Sequence, residues 1–326
     1  MKRTLVTAAA ATAAALVLSA CGSSEPAKDS ADAKSRKITV TDATGAKVTL
    51  DRPATKVVGT EWNVVESLVT LGVDPVGVAD VKGYTTWDKA APLTDRPKDI
   101  GTRGEPSMDT LAGLTPDLIV TTTDLSASAV KQMKKIAPVL QLRPADATRP
   151  VEQMMDNLDA IARATGTEDE AKTVRKSYEA KVAEGKKALA DAGENGSPIA
   201  FADGYAASQQ VSVRAFTSGS LIGAVNEDLG LKNAWKQKGD KDYGLATTDV
   251  EGLTGLGDDV RFAYIGNKAD KSANVFTGEL AGNSVWKSLP FVKAGEVHRL
   301  DDGIWMFGGP KSMERYVDGV VAALTK

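Results

Sequence analysis

The side chains best able to make and break bonds are nearly absent from this 326-residue chain. It has one histidine, His298, and one cysteine, Cys21. A general base needs a nucleophile or carboxylate to work with, and His298 lies in a strand-like run between charged neighbours, so it reads as a lone surface histidine. One histidine and one cysteine cannot build a histidine–cysteine metal site. There is no G-x-S-x-G, no Walker loop and no G-x-G-x-x-G. The acidic run Glu168-Asp169-Glu170 stands at a helix start, where the helix dipole accounts for it. Nothing here supports an enzyme.

Binding chemistry is better represented. Aromatic residues make up only 5 % of the chain, yet they recur with arginines just after apolar strand-like runs, where open α/β sheets bind ligands. Glu61-Trp62 follows one such run. Tyr84 and Trp87 follow the next, in the turn-rich Lys82-Gly-Tyr-Thr-Thr-Trp. Arg103 sits in Gly101-Thr-Arg-Gly-Glu-Pro106, ahead of a helix. The second half offers Arg214 and Phe216, Tyr243 in a Gly- and Asp-rich loop, and Trp305-Met306-Phe307. Trp235 and Trp286 lie in helical or turn contexts and are expected in the core.

The elements that must position these side chains form two similar halves. Ile38–Thr41 and Lys47–Leu50, joined through Thr44-Gly45, make a hairpin signal. Strands at 56–59, 75–79, 117–121 and 139–142 then alternate with helical spacing from Val64 to Val69, at 108–114 and at 126–136. The alternation returns later, with strands near 199–202, 211–216, 260–265 and 297–300 and helices near 221–229, 250–256 and 312–324. Such alternation means mainly parallel sheets covered by helices, an α/β fold.

Between the halves runs a helical stretch, 148–193. Val151, Met154, Met155, Leu158, Ile161 and Ala162 mark one buried helix face, with Pro150 at its start and Gly166 at its end. A second helix follows, with Thr167 and Glu170 as a capping box. Its apolar stripe (Ala171, Val174, Tyr178, Val182, Leu189) is thin, as expected of a rigid strut between two lobes. The halves also share sequence. Met108–Leu118 aligns without a gap on Val250–Val260, matching Asp109 with Glu251, Leu111 with Leu253, Gly113 with Gly255, Leu114 with Leu256 and Asp117 with Asp259. Two lobes from one ancestral unit is the economical explanation.

At the N-terminus, Lys2 and Arg3 precede an apolar run, Leu5 to Leu18, of signal-peptide length. It ends in Leu18-Ser-Ala-Cys21-Gly22, which resembles a bacterial lipobox, a motif cut before a cysteine that then carries lipid. The expected organisation is a signal peptide over 1–20, a flexible linker over 21–37 after lipidated Cys21, an α/β lobe over 38–147, the bridge over 148–193 and a second α/β lobe over 194–326. Without Lys2 and Arg3, the 40 Lys+Arg become 38 against 43 Asp+Glu, a net charge of −5. That balance argues against nucleic acid as a partner.

Three stretches together, Val58-Gly-Thr-Glu-Trp-Asn-Val-Val-Glu-Ser-Leu-Val-Thr-Leu-Gly-Val-Asp-Pro-Val-Gly-Val-Ala-Asp80, Gly101–Pro106 and Trp305-Met-Phe-Gly-Gly309, resemble the ferric-siderophore-binding proteins of ABC importers, most of all the ferric hydroxamate type. The resemblance implies two Rossmann-like lobes joined by one long rigid helix, of the class III periplasmic-binding-protein type, with the ligand in a shallow cleft between them. It implies that Arg103 reaches the iron-chelating oxygens and that Tyr84 and Trp87 lie on the rim of the same lobe. Tyr243, Trp305 and Phe307 are then contacts from the second lobe. Trp62, Arg214 and Phe216 complete the expected ligand-binding set, the last two as contacts for a more anionic or open ligand.

The resemblance further implies that Asp109 and Glu251 dock on the permease. The iron is held by the siderophore, so no metal ligands and no cofactor are expected. The expected partners are a ferric siderophore, a permease with its ATPase, and the outer face of the cell membrane through Cys21; the expected state is a monomer. The sequence departs from the hydroxamate pattern at Thr122-Thr-Asp-Leu125, where a further aromatic often stands, and at Leu245. Binding of another large ligand, haem or a cobalamin, and an α/β surface enzyme are the competing readings.

Overall fold

The computed structural model describes residues 37–207 and 210–326. Cys21, the signal peptide and nearly all of the linker lie outside the described residues. The body opens with the hairpin, β1 (Ile38–Thr41) antiparallel to β2 (Lys47–Leu50). Asp42 sets its turn by accepting bonds from the Thr44 and Ala46 amides at 2.8 and 2.9 Å, and Gly45 supplies the left-handed φ of +82°.

The first lobe runs β3 (Val57–Gly59), α1 (Trp62–Thr70), β4 (Gly77–Val78), α2 (Val81–Trp87), β5 (Lys98–Asp99), α3 (Met108–Leu114), β6 (Leu118–Thr122), α4 (Ala127–Met133) and β7 (Val139–Leu142). Its strands pair in the order β5-β4-β3-β6-β7, all parallel. Both faces are covered, so β6 and β7 are buried at every position, as an apolar parallel strand must be.

Two bridge helices follow, α5 (Pro150–Thr165) and α6 (Glu168–Asp191). Pro150 occupies the first turn of α5, and Gly166 caps it with φ +73°. The capping box expected at Thr167 is absent: its side chain makes no cap bond and instead pairs with the Thr165 hydroxyl at 2.9 Å. The 24-residue α6 buries only Ala171, Val174, Tyr178, Gly185 and Leu189, the thin stripe expected of a strut, while Val182 is only half-buried. A Cβ on Gly185 would stand 2.6 Å from Val317 of the last helix, so glycine permits the close crossing there.

The second lobe comprises β8 (Pro198–Ala207), β9 (Gln210–Phe216), α7 (Leu221–Asp228), β10 (Lys232–Asn233), β11 (Leu245–Thr248), β12 (Arg261–Ile265), α8 (Ser284–Ser288), α9 (Pro290–Lys293), β13 (Val297–Leu300) and α10 (Pro310–Leu324). The helix expected over 250–256 is a short 3₁₀ turn, Glu251–Gly255; glycines at both 252 and 255 deny it α-helical stability. The sheet order is β11-β9-β8-β12-β13, with β10 beside β8. Here β8, β10, β12 and β13 are parallel, whereas β9 and β11 are antiparallel to their neighbours. The internal repeat maps onto this order: α3 leads into β6 between β3 and β7, and the 3₁₀ turn leads into β12 between β8 and β13. Leu111 and Leu253 are both fully buried, and Asp109 and Glu251 are both exposed.

Candidate functional site

A cleft of about 470 Å³ is lined by Glu61, Asn63, Arg103, Gly104, Asp124, Pro144, Arg214, Tyr243, Leu245, Trp305 and Phe307. The first-lobe residues come from the carboxyl ends of parallel strands: Glu61 after β3, Arg103 after β5, Asp124 after β6 and Pro144 after β7. The topology thus gathers on one sheet edge residues scattered over more than eighty positions. From the second lobe, Trp305 and Phe307 follow β13. Arg214 and Leu245 lie on the antiparallel pair β9–β11, with Tyr243 in the loop before it.

The floor is a run of touching rings. Trp62 meets Trp305 edge-on at 4.7 Å, Trp305 meets Phe307 at 5.3 Å, and Phe307 meets Tyr243 at 5.6 Å and Phe216 at 5.7 Å. An arginine stacks at each end of it. The Arg103 guanidinium lies 4.1 Å over Trp62 and 5.4 Å from Trp305, and that of Arg214 lies 5.3 Å over Phe307. Stacking holds each guanidinium by its face and leaves N–H edges for a ligand. The Trp62 indole is locked from beneath by its N–H bond to the Ala79 carbonyl, 3.2 Å.

Carboxylates of this chain already meet both arginines. Arg103 Nη1 lies 3.2 Å from Glu61 Oε2. Arg214 is bidentate to Asp203, with Nε to Oδ1 at 2.9 Å and a second bond from Nη2 to Oδ2. Burial raises the Glu61 carboxyl above its ordinary value, against the pull of Arg103. Burial alone would depress the Arg214 guanidinium; its bonds to Asp203 outweigh that and hold it raised. The Tyr243 hydroxyl donates to Asp124, and burial together with that carboxylate keeps the phenol protonated.

The loop carrying Trp305 and Phe307 is fixed from the opposite lobe. Helix α10 has no side-chain cap of its own. Glu66 of α1 supplies one, accepting from the Gly309 amide at 2.7 Å and from the Ser312 amide and hydroxyl at 2.8 Å each. The Ser312 hydroxyl in turn accepts from the Trp305 amide at 3.2 Å. Glu66 and Asp88 are both buried, and desolvation raises both carboxyls.

Of the residues expected at the site, Arg103, Arg214, Tyr243, Trp305 and Phe307 line the cleft. Trp62 contributes as the buried ring beneath Arg103. Three do not reach it. Tyr84 is not on a rim: it lies in α2, fully buried, and its hydroxyl donates to the Ala91 carbonyl. Trp87, at the end of the same helix, packs behind the cleft with Trp62, Val65 and Trp305. Phe216 is buried beneath Phe307 and faces a void of about 30 Å³ under the floor, so it supports the site without touching what enters. Sequence reasoning missed Asp124, Asn63 and Glu66. Asp124 had a signal, its place one loop beyond β6; Glu66 had another, an acid among the apolar residues of α1.

The chain belongs to the periplasmic binding protein family, which matches residues 57–303. It is similar to the Fe(3+)-citrate-binding protein YfmC of Bacillus subtilis, 29 % identical over 92 % of this chain and 90 % of that one. It is also similar to a putative ABC transporter substrate-binding lipoprotein of the same organism, YhfQ, 30 % identical over 99 % and 96 %. The solved siderophore-binding protein FhuD of Vibrio cholerae, bound to Fe3+–Desferal, superposes with a TM-score of 0.73 at 25 % identity, covering 83 % of this chain and 98 % of that one. The expected two-lobe α/β architecture with its long helix is the family's. No helix among the described residues is long and apolar enough to cross a membrane.

Proposed function

We propose that this chain is the extracytoplasmic receptor of an ABC importer and captures a ferric siderophore in the cleft between its lobes. The observation that carries the reading is the ring-floored cleft with Arg103 poised at one end. A wrapped ferric complex presents partly negative chelating oxygens and apolar linkers. A guanidinium edge suits the former and flat rings the latter. The cleft volume lies within the range of ordinary ligand sites. Relatives named for ferric citrate and ferric hydroxamate support the class of ligand. The iron is cargo held by its chelator, so the reading needs no cofactor and no catalysis, and it takes the chain as a monomer. Haem, which would want an axial tyrosine or histidine, finds less support, because the tyrosine in the lining, Tyr243, already gives its hydroxyl to Asp124.

The reading includes an anchor at Cys21 and docking of Asp109 and Glu251 on a permease driven by its ATPase. If Asp109→Ala with Glu251→Ala binds ligand normally yet still supports full uptake, the docking role is wrong. The test of the main reading is a fluorescence titration of the lipid-free body with ferric and iron-free siderophores. Trp62 and Trp305 should be quenched saturably by a ferric complex and less by its iron-free form, and Trp305→Phe should remove much of the signal. Binding of haem or cobalamin with no response to any ferric complex would overturn it.

A further inference from the structure

We infer that the cleft selects its cargo by charge, favouring a ferric complex with an uncharged iron centre and a cationic arm and disfavouring anionic complexes. The inference rests on the proposed siderophore reading and goes further by naming the electrostatic class of cargo. Among the residues at the cleft, every guanidinium has a carboxylate of this chain within bonding distance: Glu61 for Arg103 and Asp203 for Arg214. Asp124 is left over. It is exposed at the cleft mouth, and its hydrogen-bond partner is the neutral Tyr243 hydroxyl. Three carboxylates therefore meet two guanidiniums.

A site built for a polyanion would leave its arginines free, since each unit of ligand charge needs a counter-charge once water is displaced. Here an anion must break Arg103 from Glu61 or Arg214 from Asp203, and then face Glu61 and Asp124 across the cleft. A tris-hydroxamate asks for less. Its three monoanionic groups balance the ferric charge, and its oxygens need only the N–H groups that Arg103 does not give to Glu61. An ammonium arm gains Glu61 and Asp124 as acceptors. The ion pairs place this chain with the complexes whose iron centre is uncharged.

The test is a matched series on one linear ferric tris-hydroxamate whose terminal amine is left free, acetylated to neutrality, or succinylated to a carboxylate. The metal centre is identical in all three. Tryptophan quenching should rank them ammonium over acetyl over succinyl, each step weakening binding about two- to fivefold, the span of partly exposed ion pairs. High salt should flatten the steps. Asp124→Asn combined with Glu61→Gln should compress the series and improve binding of a trianionic ferric tris-catecholate. Equal affinities along the series, tightest binding of the succinyl form, or an unchanged ranking in the double variant would overturn the charge selection while leaving the receptor reading intact. If no ferric complex of any charge binds, the receptor reading falls and the charge selection with it.

Discussion

Removing Glu66 is the most exposing perturbation of this molecule, because one side chain from the first lobe closes an otherwise uncapped helix in the second. In Glu66→Ala the Gly309 and Ser312 amides and the Ser312 hydroxyl all lose their acceptor, and all are buried. An unsatisfied buried donor costs about 1–3 kcal/mol. Part of that is offset, because the protein no longer has to hold a buried acid beside Asp88. The net destabilisation should be about 3–5 kcal/mol, within the range found when one member of a buried polar pair is removed. At about 2–4 °C per kcal/mol for a chain of this order, the melting temperature should fall by roughly 10 °C. Glu66→Gln keeps one acceptor oxygen and should lose only about 1–2 kcal/mol. Circular-dichroism melts of the two variants beside wild type make the comparison. If Glu66→Ala melts within about 2 °C of wild type, the cross-lobe cap contributes nothing and the reasoning is refuted.

Three further outcomes follow from the same geometry. Arg103→Ala should weaken binding of a ferric tris-hydroxamate by about 1.5–3 kcal/mol, the worth of bonds involving a charged group; wild-type affinity by fluorescence titration would remove Arg103 from the site. The Glu66–Asp88 pair makes stability depend on pH. Both carboxyls are raised in the folded state, so folding keeps a proton that the unfolded chain releases above about pH 4. The stabilisation is complete below that value and is lost as pH rises toward the folded value, by at most about 1.4 kcal/mol per pH unit for one proton. Melts between pH 5.5 and 8 should show wild type declining and Asp88→Asn declining less steeply, and parallel curves would count against a contribution from Asp88. Gly185→Ala should destabilise by about 1–3 kcal/mol through overpacking against Val317, despite alanine's better helix propensity; a rise in denaturation midpoint would show that α6 and α10 can separate there freely.

The frame was legible because its signals are local. The apolar strands, Pro150, Gly166 and the ungapped match between Met108–Leu118 and Val250–Val260 each describe a neighbourhood a few residues wide. The structure returns them, down to the paired burial of Leu111 and Leu253. Helix α2 was not legible: Gly83, Thr85, Thr86 and Trp87 are poor helix formers, and tertiary contact overrides them. A Cβ on Gly83 would stand 2.4 Å from the Trp62 ring, so the segment is shaped by what lies beside it. That is why Tyr84 read as a rim residue yet is core. The direction of β9 escaped for another reason, since an apolar run carries no mark of parallel or antiparallel pairing, and β11, Leu-Ala-Thr-Thr, carries too little apolar signal to read as a strand at all. The partners of Arg103, Arg214 and Glu66 depend on which surfaces meet after folding. Glu66 finds Gly309 and Ser312 across 243 and 246 positions, a distance over which spacing conveys nothing.

The cap that Glu66 places on α10 also bears on how a transporter would tell a full receptor from an empty one. With the lobes tied together behind the cleft, the molecule is shaped before cargo arrives, and little ordering entropy is left to be lost on capture. Affinity then varies mainly through the rate of escape rather than the rate of entry. A receptor so tied would show a transporter nearly the same outline whether occupied or vacant. Vacant copies would therefore compete for the same docking platform, and delivery would depend on the ratio of receptors to transporters as well as on the tightness of capture.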